Sequence, residues 1–210
     1  MNQPTVVTAA VLRSAAGPFT LETLTLPPPG PGEVLVRVAG AGVCHTDLLP
    51  RTGGRWGTPP IVLGHEAAGV VEAIGPDAGK IRTGDHVVAS FASCAHCPQC
   101  LAGRPPYCEQ FWPLNFSGAP PGSHLAEDSD GKPVSSRWFG QSSFATHAVV
   151  AAASLVRVPT NLPLATLAPL GCGVLTGAAS ILCGLAVRPG ATVAVLGTGS
   201  VGLSAVLAAR

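Results

Sequence analysis

The sequence predicts an α/β protein with a β-rich part: a β-barrel-like domain followed by the start of a doubly wound parallel sheet. Two observations carry this expectation. Over most of the chain, short runs of apolar and β-branched residues recur between glycine- and proline-rich turns, the pattern of a barrel. Near the end, one continuous apolar run enters a glycine-rich turn and then an alanine- and leucine-rich segment. That order reads as a strand buried on both faces, a tight turn and a helix.

The first strands are expected at 6–12 and 19–26, separated by Ala15-Ala16-Gly17-Pro18. The run 27–32, rich in proline and glycine, ends that unit, and a strand at 33–38 delivers the chain to Cys44. Further strands are expected at 68–75 and 85–90, punctuated by Gly75-Pro76-Asp77 and Thr83-Gly84-Asp85. Strands at 144–150 and 155–158 would continue the barrel. Between them, 117–136 is rich in Gly, Pro, Ser and Asp and reads as an exposed excursion. After Pro159 the composition shifts toward Ala, Leu and Gly, which places a domain boundary there: 1–158 as the first domain and 159–210 as linker helix and start of the second. A helix is expected over 177–185, a strand over 192–196 and a helix over 203–209.

Composition narrows the function. The chain has 210 residues, 11% of them charged, and a net charge of +1, with a mean hydropathy of +0.41. A packed core is expected, and there is no basic field suited to nucleic acid or an anionic membrane surface. No run approaches the about 18 apolar residues of a membrane span. Met1-Asn2-Gln3-Pro4 lacks the charged-then-apolar layout of a signal peptide. The expectation is a cytoplasmic protein acting on a small molecule. Seven cysteines, an odd number with close spacing, point to metal rather than to a disulfide framework.

Cys94, Cys97, Cys100 and Cys108 are separated by two, two and seven residues. Four thiolates at such spacing can enclose one tetrahedral zinc with no open position, which marks a structural site in a lobe at about 91–110. Two disulfides or an iron–sulfur cluster are the alternatives. Elsewhere, Cys44 and Gly64-His65-Glu66 offer a thiolate, an imidazole and a carboxylate on a short stretch of chain. Zinc in a catalytic site takes three protein ligands and leaves a fourth position open. Cys172 is the best-placed third donor; its alternative is a packed small hydrophobe. Asp47 and Glu66 could equally be buried carboxylates satisfied by backbone hydrogen bonds. His96 reads as a solvated loop histidine and Cys183 as a helix-buried cysteine.

Eight of the ten aromatics fall between Phe91 and Phe144. They either wall an apolar pocket or pack a loop-rich lobe without a core of its own. Gly197-Thr198-Gly199-Ser200-Val201-Gly202, between an apolar run and a helical segment, suits a dinucleotide pyrophosphate at a helix N-terminus. The acidic ribose partner expected about 20 residues further on falls past Arg210. The chain is therefore expected to be an N-terminal fragment, itself inactive.

Together these residues resemble the zinc-dependent medium-chain alcohol dehydrogenases, through Cys44-His45-Thr46-Asp47, Gly64-His65-Glu66, the four-cysteine lobe and the run 171–177. The resemblance implies a GroES-like β domain followed by a Rossmann domain. It implies a catalytic zinc on Cys44, His65 and Cys172, a structural zinc on Cys94, Cys97, Cys100 and Cys108, and Asp47 and Glu66 supporting the catalytic one. NAD would be held by His45, Thr176, Gly197, Gly199, Ser200, Val201 and Gly202, and the full-length protein would be a homo-oligomer. Thr46 would accept the alcohol proton. Many relatives relay it onward through a histidine where this chain has Leu49, leaving His45 as the substitute. The segments 113–118 and 139–145 look most like the aryl-alcohol (benzyl alcohol) dehydrogenases. Rival readings are an aliphatic alcohol or S-(hydroxymethyl)glutathione dehydrogenase, and a non-catalytic zinc-stabilised binding module.

Overall fold

The computed structural model describes residues 3–53 and 55–210; the reading of the first four residues as leaderless falls in part on Met1 and Asn2, outside that range. Ten strands are described: β1 Thr5–Leu12, β2 Phe19–Leu26, β3 Glu33–Ala41, β4 Ile61–Val62, β5 Ala67–Ile74, β6 His86–Ala89, β7 Ala126–Glu127, β8 Pro133–Val134, β9 His147–Ala151 and β10 Leu155–Arg157. They form two five-stranded sheets, ordered β4-β1-β2-β7-β8 and β10-β6-β5-β3-β9. Every pairing within them is antiparallel.

Alternation of apolar residues sets which face of each strand is buried. Val7, Ala9 and Val11 of β1 and Leu24 and Leu26 of β2 point inward and meet Leu35 and Val149 of the other sheet in one core cluster. Val34, Val36, Val71, Val87 and Val150 build a second cluster on the far face of β3, β5, β6 and β9. The segment before β9 stitches the sheets together: Ala10 N–H donates to Phe144 O at 2.8 Å and Thr146 N–H to Thr8 O at 2.9 Å. These contacts close the barrel-like, GroES-like shape. Gly69 is required where β3 and β5 cross, because a Cβ there would stand 2.2 Å from Arg37 O.

The strands expected between 6 and 158 all form, with ends shifted by a few residues. The stretch 117–136 differs. Pro121, Gly122, His124, Glu127 and 129–133 are exposed, but β7 and β8 return to the sheet, and Ala126 and Val134 are fully buried, because both insert into the first core cluster.

Five short α-helices follow or interrupt the strands: α1 Pro98–Leu101, α2 Phe111–Phe116, α3 Leu164–Leu167, α4 Gly173–Ala179 and α5 Ser200–Ala209. The helix expected at 177–185 begins earlier, as α4, and continues as a π turn over Ser180–Gly184. Cys183 is exposed rather than helix-buried, since Ile181 takes the inward position on that turn. The strand expected at 192–196 does not form. A run suited to burial between two neighbours has no strand beside it among the described residues, and Leu196 is 93% exposed. Helix α5 does follow the glycine-rich turn as expected. No single helix among the described residues is long and apolar enough to cross a membrane.

Candidate functional site

Strand β3 ends at Ala41, and the chain turns through Cys44 into a 3₁₀ segment, His45–Thr52. This turn carries Cys44, Thr46 and Asp47 to the mouth of the barrel. His65 and Glu66 lie between β4 and β5, immediately after Gly64, whose φ of +88° glycine adopts without strain. A Cβ at Gly64 would also fall 2.7 Å from Phe144 N. Cys172 arrives from the other side of the fold, at the start of α4.

Donor atoms of Cys44, His65, Glu66 and Cys172 all lie within 4.8 Å of one another, joining residues 107 positions apart. Asp47 Oδ1 sits 2.7 Å from His65 Nδ1. The carboxylate accepts, so Nδ1 carries the proton and Nε2 presents its lone pair. That Nε2 lies 3.2 Å from Cys172 Sγ. Burial raises the Cys172 thiol pKa, and Cys44 and Glu66 raise it further. A part-buried set of two thiols, an imidazole and a carboxylate suits a divalent cation, and its sulfur and nitrogen atoms suit zinc. Glu66 is 4% exposed and accepts from Gly173 N–H at 3.4 Å. Gly42 makes room for it, since a Cβ there would lie 1.9 Å from Glu66 Oε2.

The four-cysteine lobe converges as expected: donor atoms of Cys94, Cys97, Cys100 and Cys108 lie within 4.8 Å of one another. All seven cysteines are free thiols, so the disulfide alternative does not hold here. Sγ of Cys94 and Sγ of Cys100 are 3.9 Å apart, close to the about 3.8 Å between thiolates at about 2.3 Å from one tetrahedral zinc. Backbone N–H groups turn toward the sulfurs, Cys97 to Cys94 and Cys94 to Cys108 at 3.3 Å. Backbone N–H groups of Glu109 and Cys100 lower the Cys97 thiol pKa, while burial and the Cys97 thiol raise that of Cys100. His96 is exposed, as expected.

The aromatics do both things proposed for them. Phe116 is the hub of a packed cluster, with ring centroids 5.2 Å from Trp56, 4.7 Å from Trp112, 5.8 Å from Trp138 and 5.0 Å from Phe139. Phe91, Phe111 and Phe139, with Pro106 and Leu175, wall a cavity of about 300 Å³ that His65 and Cys172 also line. Phe139 stacks on the His65 ring at 4.4 Å. Tyr107, by contrast, is 72% exposed.

Among the cofactor candidates, Thr176 lines the same cavity. Gly197 has φ +102°, and a Cβ at Gly202 would stand 2.1 Å from Gly197 O, so the turn closes tightly and only glycine fits at both positions. A Cβ at Gly199 would meet only open space, leaving the approach to α5 clear. Ser200 and Val201 are exposed, but the Ser200 hydroxyl and the Val201 carbonyl lie against α4: Cβ atoms added at Gly173 and Gly177 would lie 2.5 Å from Ser200 Oγ and 2.2 Å from Val201 O. His45 is exposed, Thr46 half-buried, and Thr46 Oγ1 lies 3.6 Å from Cys44 Sγ.

Two residues that sequence reasoning missed hold this arrangement. Trp138 Nε1 donates to Asp47 Oδ1 at 3.0 Å. Gln141 accepts from Ala67 N–H at 3.1 Å and donates to His65 O at 2.9 Å. The only signal for Gln141 was the polar run Gln141-Ser142-Ser143, set among aromatics, and Trp138 read as one more packing aromatic.

Fold and donor sets define a β-barrel domain of GroES-like type that carries two zinc-type donor constellations. The model of the alcohol dehydrogenase GroES-like domain matches residues 30–160, and the chain belongs to the zinc-type medium-chain alcohol dehydrogenase family. It is 50% identical over 205 residues to geraniol dehydrogenase of Castellaniella defragrans, covering 96% of this chain and 54% of that protein. An alcohol dehydrogenase zinc-binding domain protein from Burkholderia ambifaria superposes with a TM-score of 0.95 at 46% identity, over 99% of this chain and 56% of that one. Benzyl alcohol dehydrogenase from Acinetobacter calcoaceticus gives 0.87 at 42% identity, over 98% and 55%. The chain spans about half the length of the curated relatives it matches.

Proposed function

We propose that the protein of which this chain forms a part or the whole oxidises a primary, apolar alcohol, of benzyl type, to its aldehyde with NAD as acceptor. The observation that carries this reading is the aromatic-walled cavity opening directly onto His65 and Cys172. Cys44, His65 and Cys172 would hold the catalytic zinc and Cys94, Cys97, Cys100 and Cys108 the structural one. Zinc would supply a Lewis acid for the alcohol oxygen, and NAD the hydride acceptor.

The chain's own residues account for the remaining steps. Phe91, Phe111 and Phe139 bury the carbon skeleton and exclude water. Thr46 Oγ1, beside Cys44, takes the hydroxyl proton and passes it to the exposed His45, its chain neighbour; Leu49 has no group to receive it. Asp47 fixes the His65 tautomer. Glu66 adds negative charge beside the donors. The N-terminus of α5 and the turn Gly197 to Gly202 would take the pyrophosphate, and residues 159–210 would serve as linker helix and entry to the cofactor domain.

Support for an apolar substrate comes also from the names of two relatives, geraniol and benzyl alcohol dehydrogenase. A 38% identical relative is named S-(hydroxymethyl)glutathione dehydrogenase, but the cavity is lined by neither Lys nor Arg, which the carboxylates of that substrate would call for.

Zinc content after exhaustive dialysis, with NAD-dependent turnover of benzyl alcohol, geraniol and S-(hydroxymethyl)glutathione, tests the proposal. Two zincs per chain and a preference for the first two alcohols are expected. A folded chain without zinc, or a preference for the glutathione adduct, would overturn it.

A further inference from the structure

The segment Trp138 to Ser142 folds unusually tightly. Phe139, Gly140 and Ser142 have φ of +50°, +69° and +50°, and two of these three are not glycine, a cost that surrounding contacts must offset. Ser142 Oγ supplies part of the offset, accepting from Trp138 N–H at 2.8 Å and donating to Val62 O at 2.7 Å. This one segment delivers three supports to His65. Phe139 stacks on its ring, Gln141 holds its carbonyl, and Trp138 reaches Asp47.

Trp138 is 0% exposed, so its indole N–H needs an acceptor, and that acceptor is Asp47 Oδ1. The same oxygen accepts from Gly64 N–H at 3.1 Å and from His65 Nδ1 at 2.7 Å. Three donors converging on one oxygen leave the carboxylate a single orientation. We propose that Trp138 is a positioning residue of the open metal site, acting through Asp47 to hold His65 Nε2 toward Cys44 and Cys172. This inference rests on the assignment of Cys44, His65 and Cys172 as a donor set. Partners of metal-binding histidines typically change metal affinity by about 10–100-fold when removed, and Trp138 stands one bond further out.

The test follows zinc release from the whole chain to a chromophoric chelator. Cys172→Ser marks the phase that belongs to the open site. Trp138→Phe is expected to speed that phase about tenfold and to leave the four-cysteine phase unchanged. Phe116→Leu loosens packing on the same indole while sparing its N–H, and should change neither phase. Equal rates in wild type and Trp138→Phe, or the same acceleration from Phe116→Leu, would overturn the proposal alone. A wild-type chain with one phase, indifferent to Cys172→Ser, would overturn the donor-set reading and the proposal with it. A measurement on the unmutated fold guards against a variant that does not fold. Of the three indole N–H resonances, assigned with Trp56→Phe and Trp112→Phe, the Trp138 signal should move on zinc loading, and an unmoved signal refutes the link.

Discussion

Removing the Asp47 carboxylate should destabilise the chain more than any loss of a surface charge. Asp47 is 1% exposed and accepts four hydrogen bonds, from Cys44 N–H at 3.2 Å, Gly64 N–H at 3.1 Å, His65 Nδ1 at 2.7 Å and Trp138 Nε1 at 3.0 Å. Asp47→Ala leaves the last three donors buried without partners. At about 1–3 kcal/mol each, and with water entering the vacated space to relieve part of this, the cost is about 3–5 kcal/mol. Against a total of about 5–15 kcal/mol for a typical domain that is a large fraction. Asp47→Asn keeps an oxygen for the three buried donors and loses the Cys44 bond and the charge, so it should cost about 1–2 kcal/mol. Urea unfolding of the metal-free chain, followed by tryptophan fluorescence, measures both. An Ala variant within about 1 kcal/mol of wild type, or an Asn variant as unstable as Ala, would refute the account of Asp47 as the shared acceptor.

Gly177→Ala should cost about 1–3 kcal/mol by overpacking, because its Cβ would stand 2.2 Å from Val201 O; Gly184→Ala, whose Cβ meets nothing closer than 3.7 Å, should be neutral or slightly stabilising in the same thermal melts. Acid should weaken the contact between β1, β2 and the β7–β8 loop. The Arg13 guanidinium holds the Glu22 carboxyl below its ordinary 4.5, and the Lys132 backbone N–H, with Arg13 adding to it, holds Asp128 below 3.8. Stability from these groups is present above those ordinary values and is lost as pH falls through the lower folded ones. Asp128→Asn should therefore flatten the acid limb of the urea midpoint below about pH 4, and an unchanged limb would count against the pairing.

What was legible in the sequence follows from the range over which each signal acts. Strand positions were readable because alternation and Gly/Pro turns are local, and the donor sets because few side chains bind zinc and their spacing is restricted. Residues 192–196 misled, since a continuous apolar run reports suitability for burial, while strand formation also needs a hydrogen-bonded neighbour. Cys183 misled for a related reason: composition places a residue on a helix but does not choose its face. Trp138 was invisible because its partner Asp47 lies 91 positions away and an indole among aromatics reads as packing. The aromatic lobe stayed ambiguous because pocket wall and packing core use the same residues, and here adjacent rings of one cluster do each.

Helix α4 lies between the donor set and α5. Its cap residue, Cys172, faces the open donor set, and its flank, at Gly173 and Gly177, is in direct backbone-range contact with α5, the helix that the glycine-rich turn introduces. One short rod therefore has the donor set at its tip and the nucleotide turn's helix along its side. With no side chains at those two positions to act as a cushion, α4 and α5 meet at backbone distance, so the seating of α5 and the placement of the Cys172 sulfur share one contact surface.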